Sequence, residues 1–108
     1  VALNGMQISG PTAEVMDMSS VPQKFTSFGW AVNEVDGHDL ADLIAALDAC
    51  PLEPGRPSVL LAHTVKGRGV SSVEGTVPSH YWKPTPKQLA DAVAESDAVV
   101  ARLEGALA

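Results

Sequence analysis

"WAVNEVDGHDLADLIAAL", residues Trp30 to Leu47, changes its hydrophobic period halfway along. Trp30–Val35 is short, aliphatic and partly β-branched, which suits a strand closed by Asp36-Gly37. From His38 to Ala49 the pattern is helical: Leu40, Leu43, Ile44 and Leu47 follow i, i+3, i+4, i+7 spacing and make one apolar stripe. Asp39 stands where an N-cap belongs, and Asp42 favours the positive end of the helix. Pro51 and Pro54-Gly55 stop it. Between strand and helix lies Asp36-Gly37-His38-Asp39, which is either a site or a hinge of the architecture.

The same alternation extends both ways. Val1–Ile8, ended by Ser9-Gly10-Pro11, and Ser58–Val65, ended by Lys66-Gly67, read as two further strands. Thr12–Met16 allows one or two helical turns, Pro22 limits that segment, and Val21–Phe28 reads as a helix. The last helix spans Thr85–Leu107, with Thr85 as cap, Pro86 at its first position, and Leu89, Val93, Val100 and Leu103 expected on its inner face. The long stretch Gly67–Pro84, rich in Gly, Ser and Pro, has no regular pattern, and loops of that length often carry function. There is no internal repeat. The order predicts an α/β fold: a parallel sheet with flanking helices. Ligands of such sheets bind beyond the carboxyl ends of the strands. That rule selects the turn after the first strand, Asp36–Asp39, and Thr64–Gly69 with its following loop.

Composition narrows the classes. A chain of 108 residues makes at most one small domain, and 45% apolar with 19% charged residues is globular rather than disordered. Seven Lys and Arg against 13 Asp and Glu leave a net charge of −6, a surface that repels a nucleic-acid backbone. Two Trp, one Tyr and two Phe offer little for base stacking. The single Cys50 excludes an intrachain disulfide and reads as a small, buried or half-buried hydrophobe. No apolar run spans a bilayer, and the N-terminus lacks the basic region and cleavage site of a signal peptide, so the expectation is a cytoplasmic protein without membrane contact. The first residues already read as the inside of a strand, which suggests a fragment or a subunit whose sheet continues elsewhere.

At Asp36–Asp39 a metal site would need His38 converging with Asp36 or Asp39, and no further His or Cys stands nearby. Architecture accounts for the residues singly: Gly37 for a tight turn, Asp39 as cap, Asp36 accepting turn N–H groups. Lys66-Gly67-Arg68-Gly69 reads equally as an anion site or as a solvated turn, since it lacks P-loop spacing. His80 stands in a long loop beside Tyr81 and Trp82, aromatics that suggest a surface closing on something. The chain has no Ser/His/Asp spacing, no HExxH and no GxGxxG.

Taken together, "NGMQISGP" (Asn4–Pro11), "FGWAVNEVDGHDLADLIAAL" (Phe28–Leu47), "PSVLLAHTVKGRGVSSVEG" (Pro57–Gly75) and the His80 loop resemble, in that order, the transketolase family of thiamine-diphosphate enzymes. The likeness covers nearly the whole chain and corresponds to the distal part of the N-terminal, diphosphate-binding domain. Its style is closer to transketolases made of two separate polypeptides. The resemblance implies transfer of a two-carbon ketol unit from a ketose to an aldose, with thiamine diphosphate supplying the carbon chemistry and Mg²⁺ bridging its diphosphate to the protein. It assigns metal binding to the Asn4 side chain and the Met6 carbonyl, makes both cofactor contacts, and matches His80 to a loop histidine reaching the diphosphate and the substrate. Lys66–Gly69 borders the cofactor cleft, with no chemical role for Lys66, and DGHD is mainly architecture.

The upstream GDG motif is absent, Ala2 and Leu3 replace the usual acidic residues, Ser9 replaces an Asp, and Ser79 precedes His80. The glutamate that activates the aminopyrimidine belongs to a pyrimidine domain not present here. The resemblance therefore implies partner chains carrying the GDG segment and that domain, and sugar or sugar-phosphate substrates. Two alternatives stand beside it: another thiamine-diphosphate carboligase, deoxyxylulose-phosphate-synthase-like or acyloin-forming, and a non-catalytic interaction subunit.

Overall fold

The computed structural model describes residues 1–107, which form two compact units, Val1–Thr64 and a second beginning at Val65. In the first unit the chain runs β1 (Ala2–Leu3), β2 (Met6–Gln7), β3 (Gly10–Pro11), α1 (Thr12–Val15), α2 (Val21–Ser27), β4 (Ala31–Asp36), α3 (Leu40–Asp48) and β5 (Ser58–His63). Three strands form the main sheet in the order β1-β5-β4, all parallel, and β2 pairs with β3 as a separate antiparallel ribbon. The α/β architecture with a parallel sheet and flanking helices is thus present.

β5 is central, as its sequence dictates: Ser58-Val-Leu-Leu-Ala-His is almost continuously apolar, the pattern of a parallel strand covered on both faces. Its Leu61 is wholly buried, and Val59, with Ala31 and Val35 of β4, completes the core of the sheet. Burying a leucine of this kind contributes about 1.5–3 kcal/mol. The β4–β5 register runs from Ala31 opposite Ser58 to Asp36 opposite His63, so both strands deliver their carboxyl ends to the same edge.

The first strand is shorter than Val1–Ile8. After Leu3 the Asn4 side chain accepts the Met6 N–H at 3.0 Å, and Gly5 takes φ +69°, a left-handed conformation that glycine adopts without steric cost. The Gly5 carbonyl then accepts the Thr12 N–H at 2.8 Å. An Asx turn therefore ends β1 and sends the chain into the β2–β3 ribbon. β4 lies one residue later than expected, and β5 ends at His63.

α2 and β4 are joined by a turn that Arg56 fastens. Its Nε donates to the Gly29 carbonyl at 3.0 Å and its Nη2 to the Trp30 carbonyl at 2.7 Å, while Nη1 pairs with Glu53. Phe25 meets the Trp30 ring edge-on, with centroids 5.6 Å apart. α3 packs on β4, and of its apolar stripe Leu43 is half-buried while Leu40, Ile44 and Leu47 are 59–75% exposed. Ala46 is the one fully buried residue of the helix. Cys50 is also exposed rather than buried; its thiol donates to the Ala46 carbonyl at 3.4 Å.

The second unit contains a 3₁₀ helix (Val77–Tyr81) within the stretch expected to lack regular structure, and α4 (Pro86–Leu107). Thr85 and Gln88 cap α4 reciprocally: Gln88 Oε1 accepts the Thr85 N–H at 2.9 Å, and Thr85 Oγ1 accepts the Gln88 N–H at 3.3 Å. Leu89, Val93, Val100 and Leu103, expected on an inner face, are each about half exposed. The half-buried positions are Gln88, Ala92 and Glu95, a stripe rotated from the apolar one. Glu95 fixes this orientation by accepting the Ser71 N–H at 2.8 Å and the Ser71 hydroxyl.

Candidate functional site

The turn that ends β1 also builds a cleft. Asn4 and Met6, two residues apart, lie at the carboxyl edge of the sheet and line an open hollow of about 750 Å³ together with Leu3, Gln7, Met16 and Phe25. Its walls are mostly apolar, which suits a ring system, with a few amide and carbonyl groups at one end. Asp17 stands on the same cleft. The Ser19 backbone N–H, at 2.7 Å, and then the Ser19 hydroxyl hold its carboxyl below the ordinary 3.8, so it stays ionised.

Among the described residues no group of three or more His, Cys, Asp or Glu could hold a metal ion. The Asn4 amide oxygen and the Met6 carbonyl oxygen are neutral, hard donors. An amide oxygen carries two lone pairs, and the Met6 N–H uses one of them. This donor set fits a cation of the Mg²⁺ kind whose other ligands are phosphate oxygens, water and groups from elsewhere.

At Asp36–Asp39 every carboxylate is engaged by backbone. Asp36 Oδ1 accepts the His38 N–H at 2.8 Å, and Asp39 Oδ1 accepts those of Ala41 and Asp42 at 2.8 and 3.2 Å. Asp42 Oδ2 reaches back to the Asp36 N–H at 2.8 Å. Gly37 is needed for space rather than for an unusual φ. A Cβ there would lie 2.9 Å from the His63 carbonyl and 3.1 Å from Ala62 Cβ, and would strike Thr64 Cγ2. These four residues lock β4, α3 and β5 together, the architectural role expected of them.

In the second unit Glu74 decides between the two readings of Lys66–Gly69. Its carboxylate accepts the Gly69 N–H at 2.9 Å and lies 3.4 Å from Arg68 Nη1. An internal carboxylate thus occupies the position that an external anion would take. Gly67, at φ +73° and with the Val73 carbonyl 3.0 Å from where a Cβ would stand, closes the same turn. Lys66 points elsewhere: its Nζ lies 3.5 Å from Nδ1 of His80, whose ring meets Tyr81 edge-on at 4.7 Å. Trp82 Nε1, two residues on, is buried without a hydrogen-bond partner among the described residues.

Of the residues singled out in the sequence, Asn4 and Met6 are brought together in the first unit, and His80 stands in the second. The sequence reading missed Glu74 and Glu95. Glu74 follows the glycine turn at a distance that lets a carboxylate fold back on it, a signal available in principle. Glu95 gave none, because a glutamate on an exposed-looking helix is ordinary.

The geometry describes an α/β domain with a mostly apolar cleft, lined in part by Asn4 and Met6, at the carboxyl edge of a parallel sheet. A family model described as "Transketolase, thiamine diphosphate binding domain" matches residues 2–91. An apulose-4-phosphate transketolase subunit from Phocaeicola vulgatus is 39% identical over 101 residues, covering 94% of this chain and 36% of that protein. The 6-deoxy-6-sulfo-D-fructose transketolase subunit SqwG of Clostridium sp. (strain MSTE9) is 38% identical over 92 residues, covering 85% of this chain and 34% of that protein. Among solved structures, transketolase from Campylobacter jejuni shares the fold, with a TM-score of 0.64 at 20% identity over 94% of this chain and 20% of its own. The chain belongs to the transketolase family and corresponds to its thiamine diphosphate binding domain. It spans roughly a third of the length of the Phocaeicola and Clostridium relatives.

Proposed function

We propose that this chain is the distal part of the diphosphate-binding domain in a split transketolase. The assembled enzyme transfers a two-carbon ketol unit from a ketose to an aldose with thiamine diphosphate and Mg²⁺. The observation that carries this reading is that Asn4 and Met6, joined by an Asx turn, both line an apolar cleft in a chain of this family. The Phocaeicola and Clostridium relatives are named as transketolase subunits, which supports a partner chain supplying the upstream GDG segment and the pyrimidine domain.

Each residue then has a task. Asn4 Oδ1 and the Met6 carbonyl would hold Mg²⁺ from the protein side, and the Asx turn limits the freedom of the Asn4 side chain. The apolar cleft wall excludes water from the ring it accepts. His80 donates a hydrogen bond to an anionic oxygen of diphosphate or sugar, a placement that stabilises developing charge. Thiamine diphosphate, when bound, supplies the carbon nucleophile that no side chain provides.

The test is calorimetric titration of thiamine diphosphate into the protein assembled with its partner. Binding that requires Mg²⁺ and weakens about tenfold or more in Asn4→Ala is the expected result, the loss of one ligand to a bound ion. Tight binding indifferent to Mg²⁺ and to Asn4 would remove this assignment.

A further inference from the structure

The structure assigns Lys66 as a positioning residue for His80, a role that goes beyond the proposed activity and rests on His80 acting as a donor there. We infer that the Lys66 ammonium, with Nζ 3.5 Å from Nδ1, fixes His80 in the tautomer that carries its proton on Nε2.

An ammonium has only donors, so the ring nitrogen facing it must accept. A neutral imidazole whose Nδ1 accepts carries its hydrogen on Nε2. That nitrogen is the one left to point away from the lysine, and it becomes an N–H donor.

Lys66 is available for this task because the other cation of its turn is not. Arg68 is paired with Glu74 at 3.4 Å, and the same carboxylate takes the Gly69 N–H. Lys66 itself makes no ion pair with a carboxylate among the described residues, and it is half-buried, whereas a lysine serving solubility extends into water. Its backbone is held by the Gly75 N–H, which donates to the Lys66 carbonyl at 2.8 Å. The Tyr81 ring meets the imidazole edge-on, with centroids 4.7 Å apart. Among the described residues an ammonium and an aromatic ring thus stand against His80, which is otherwise exposed.

The experiment uses the protein assembled with its partner, labelled with ¹⁵N-histidine, with His80→Gln to identify the His80 resonances. Long-range ¹H–¹⁵N correlation reports which ring nitrogen carries the proton. The wild type is expected to show the Nε2–H tautomer alone, Lys66→Met a mixture of both, and Lys66→Arg recovery of the single form. Steady-state rates supply the second readout. Lys66→Met should lower kcat/KM by about tenfold, the effect of one charge-assisted hydrogen bond, and should add nothing to His80→Ala. A tautomer unchanged by Lys66→Met, or one with the proton on Nδ1 in the wild type, overturns the inference. If the tautomer responds but His80→Ala leaves the rate unchanged, the positioning role stands and the donor role given to His80 fails.

Discussion

Asn4 accepts the Met6 N–H at 3.0 Å, and this bond turns the chain after the first strand at two residues that line one cleft. Asparagine at this position is a turn acceptor in the structure, and under the proposed function it is also a metal ligand. Asn4→Asp keeps an acceptor for Met6 and adds a charge, whereas Asn4→Ala removes both functions. Urea unfolding of Asn4→Ala should show a loss of about 1 kcal/mol from the turn, with Asn4→Asp close to wild type. Equal destabilisation by both variants would mean that the side-chain bond does not hold the turn.

Gly37 stands against the end of β5, where a Cβ would strike Thr64 and crowd the His63 carbonyl at 2.9 Å. Gly37→Ala should therefore lower stability by about 1–3 kcal/mol, the range for overpacking. Pairing it with Thr64→Ser, which removes the struck methyl, should restore part of that loss. No rescue in the double variant would show that the clash lies with the backbone.

Asp39 caps α3 through two N–H groups, at 2.8 and 3.2 Å. Asp39→Ala should cost about 1 kcal/mol in denaturant unfolding, and Asp39→Asn or Asp39→Ser much less. Activity of the assembled enzyme should survive once the variant is folded. Complete inactivity in a folded Asp39→Ala complex would return DGHD to the candidates for a chemical site.

Glu95 ties α4 to the loop at Ser71, and the Ser71 hydroxyl and then its N–H hold this carboxyl below the ordinary 4.5. A value lowered by folding stabilises the fold fully above the ordinary value, and that contribution is lost as pH falls through the lowered one. Compared across acid pH, wild type should lose stability relative to Glu95→Gln as the carboxylate takes up its proton. Parallel stability curves for the two proteins would show that the Ser71 contact does not report on Glu95 charge.

The parallel α/β order was legible because Trp30–Leu47 and Ser58–Val65 state their periods plainly and turn residues follow both. The Asp39 cap was legible for the same reason, since its chemistry is local. The break after Leu3 was not, because "VALNGMQI" keeps an apolar character through a turn that rests on one side-chain bond. Orientation was the other failure. Leu40, Leu43, Ile44 and Leu47 form a genuine stripe, yet Ala46 is the buried residue of that helix and only Leu43 of the stripe is half-buried. α4 repeats the lesson, with Glu95 choosing the face. Residues whose task is a contact across the fold, such as Glu74 and Glu95, leave no periodic trace. Asn4 and Met6 stood out only through their resemblance to a family pattern, whereas His80 was also marked by the aromatics beside it.

The measurement closest to the central claim is two-carbon transfer itself. The protein assembled with its partner chain is given a ketose labelled at C1 and C2, an acceptor aldose, thiamine diphosphate and Mg²⁺. Label appearing in a new ketose two carbons longer than the acceptor, and lost when either chain or the cofactor is omitted, is the result predicted. A stable complex that binds the cofactor yet moves no label between a series of ketoses and aldoses would contradict it.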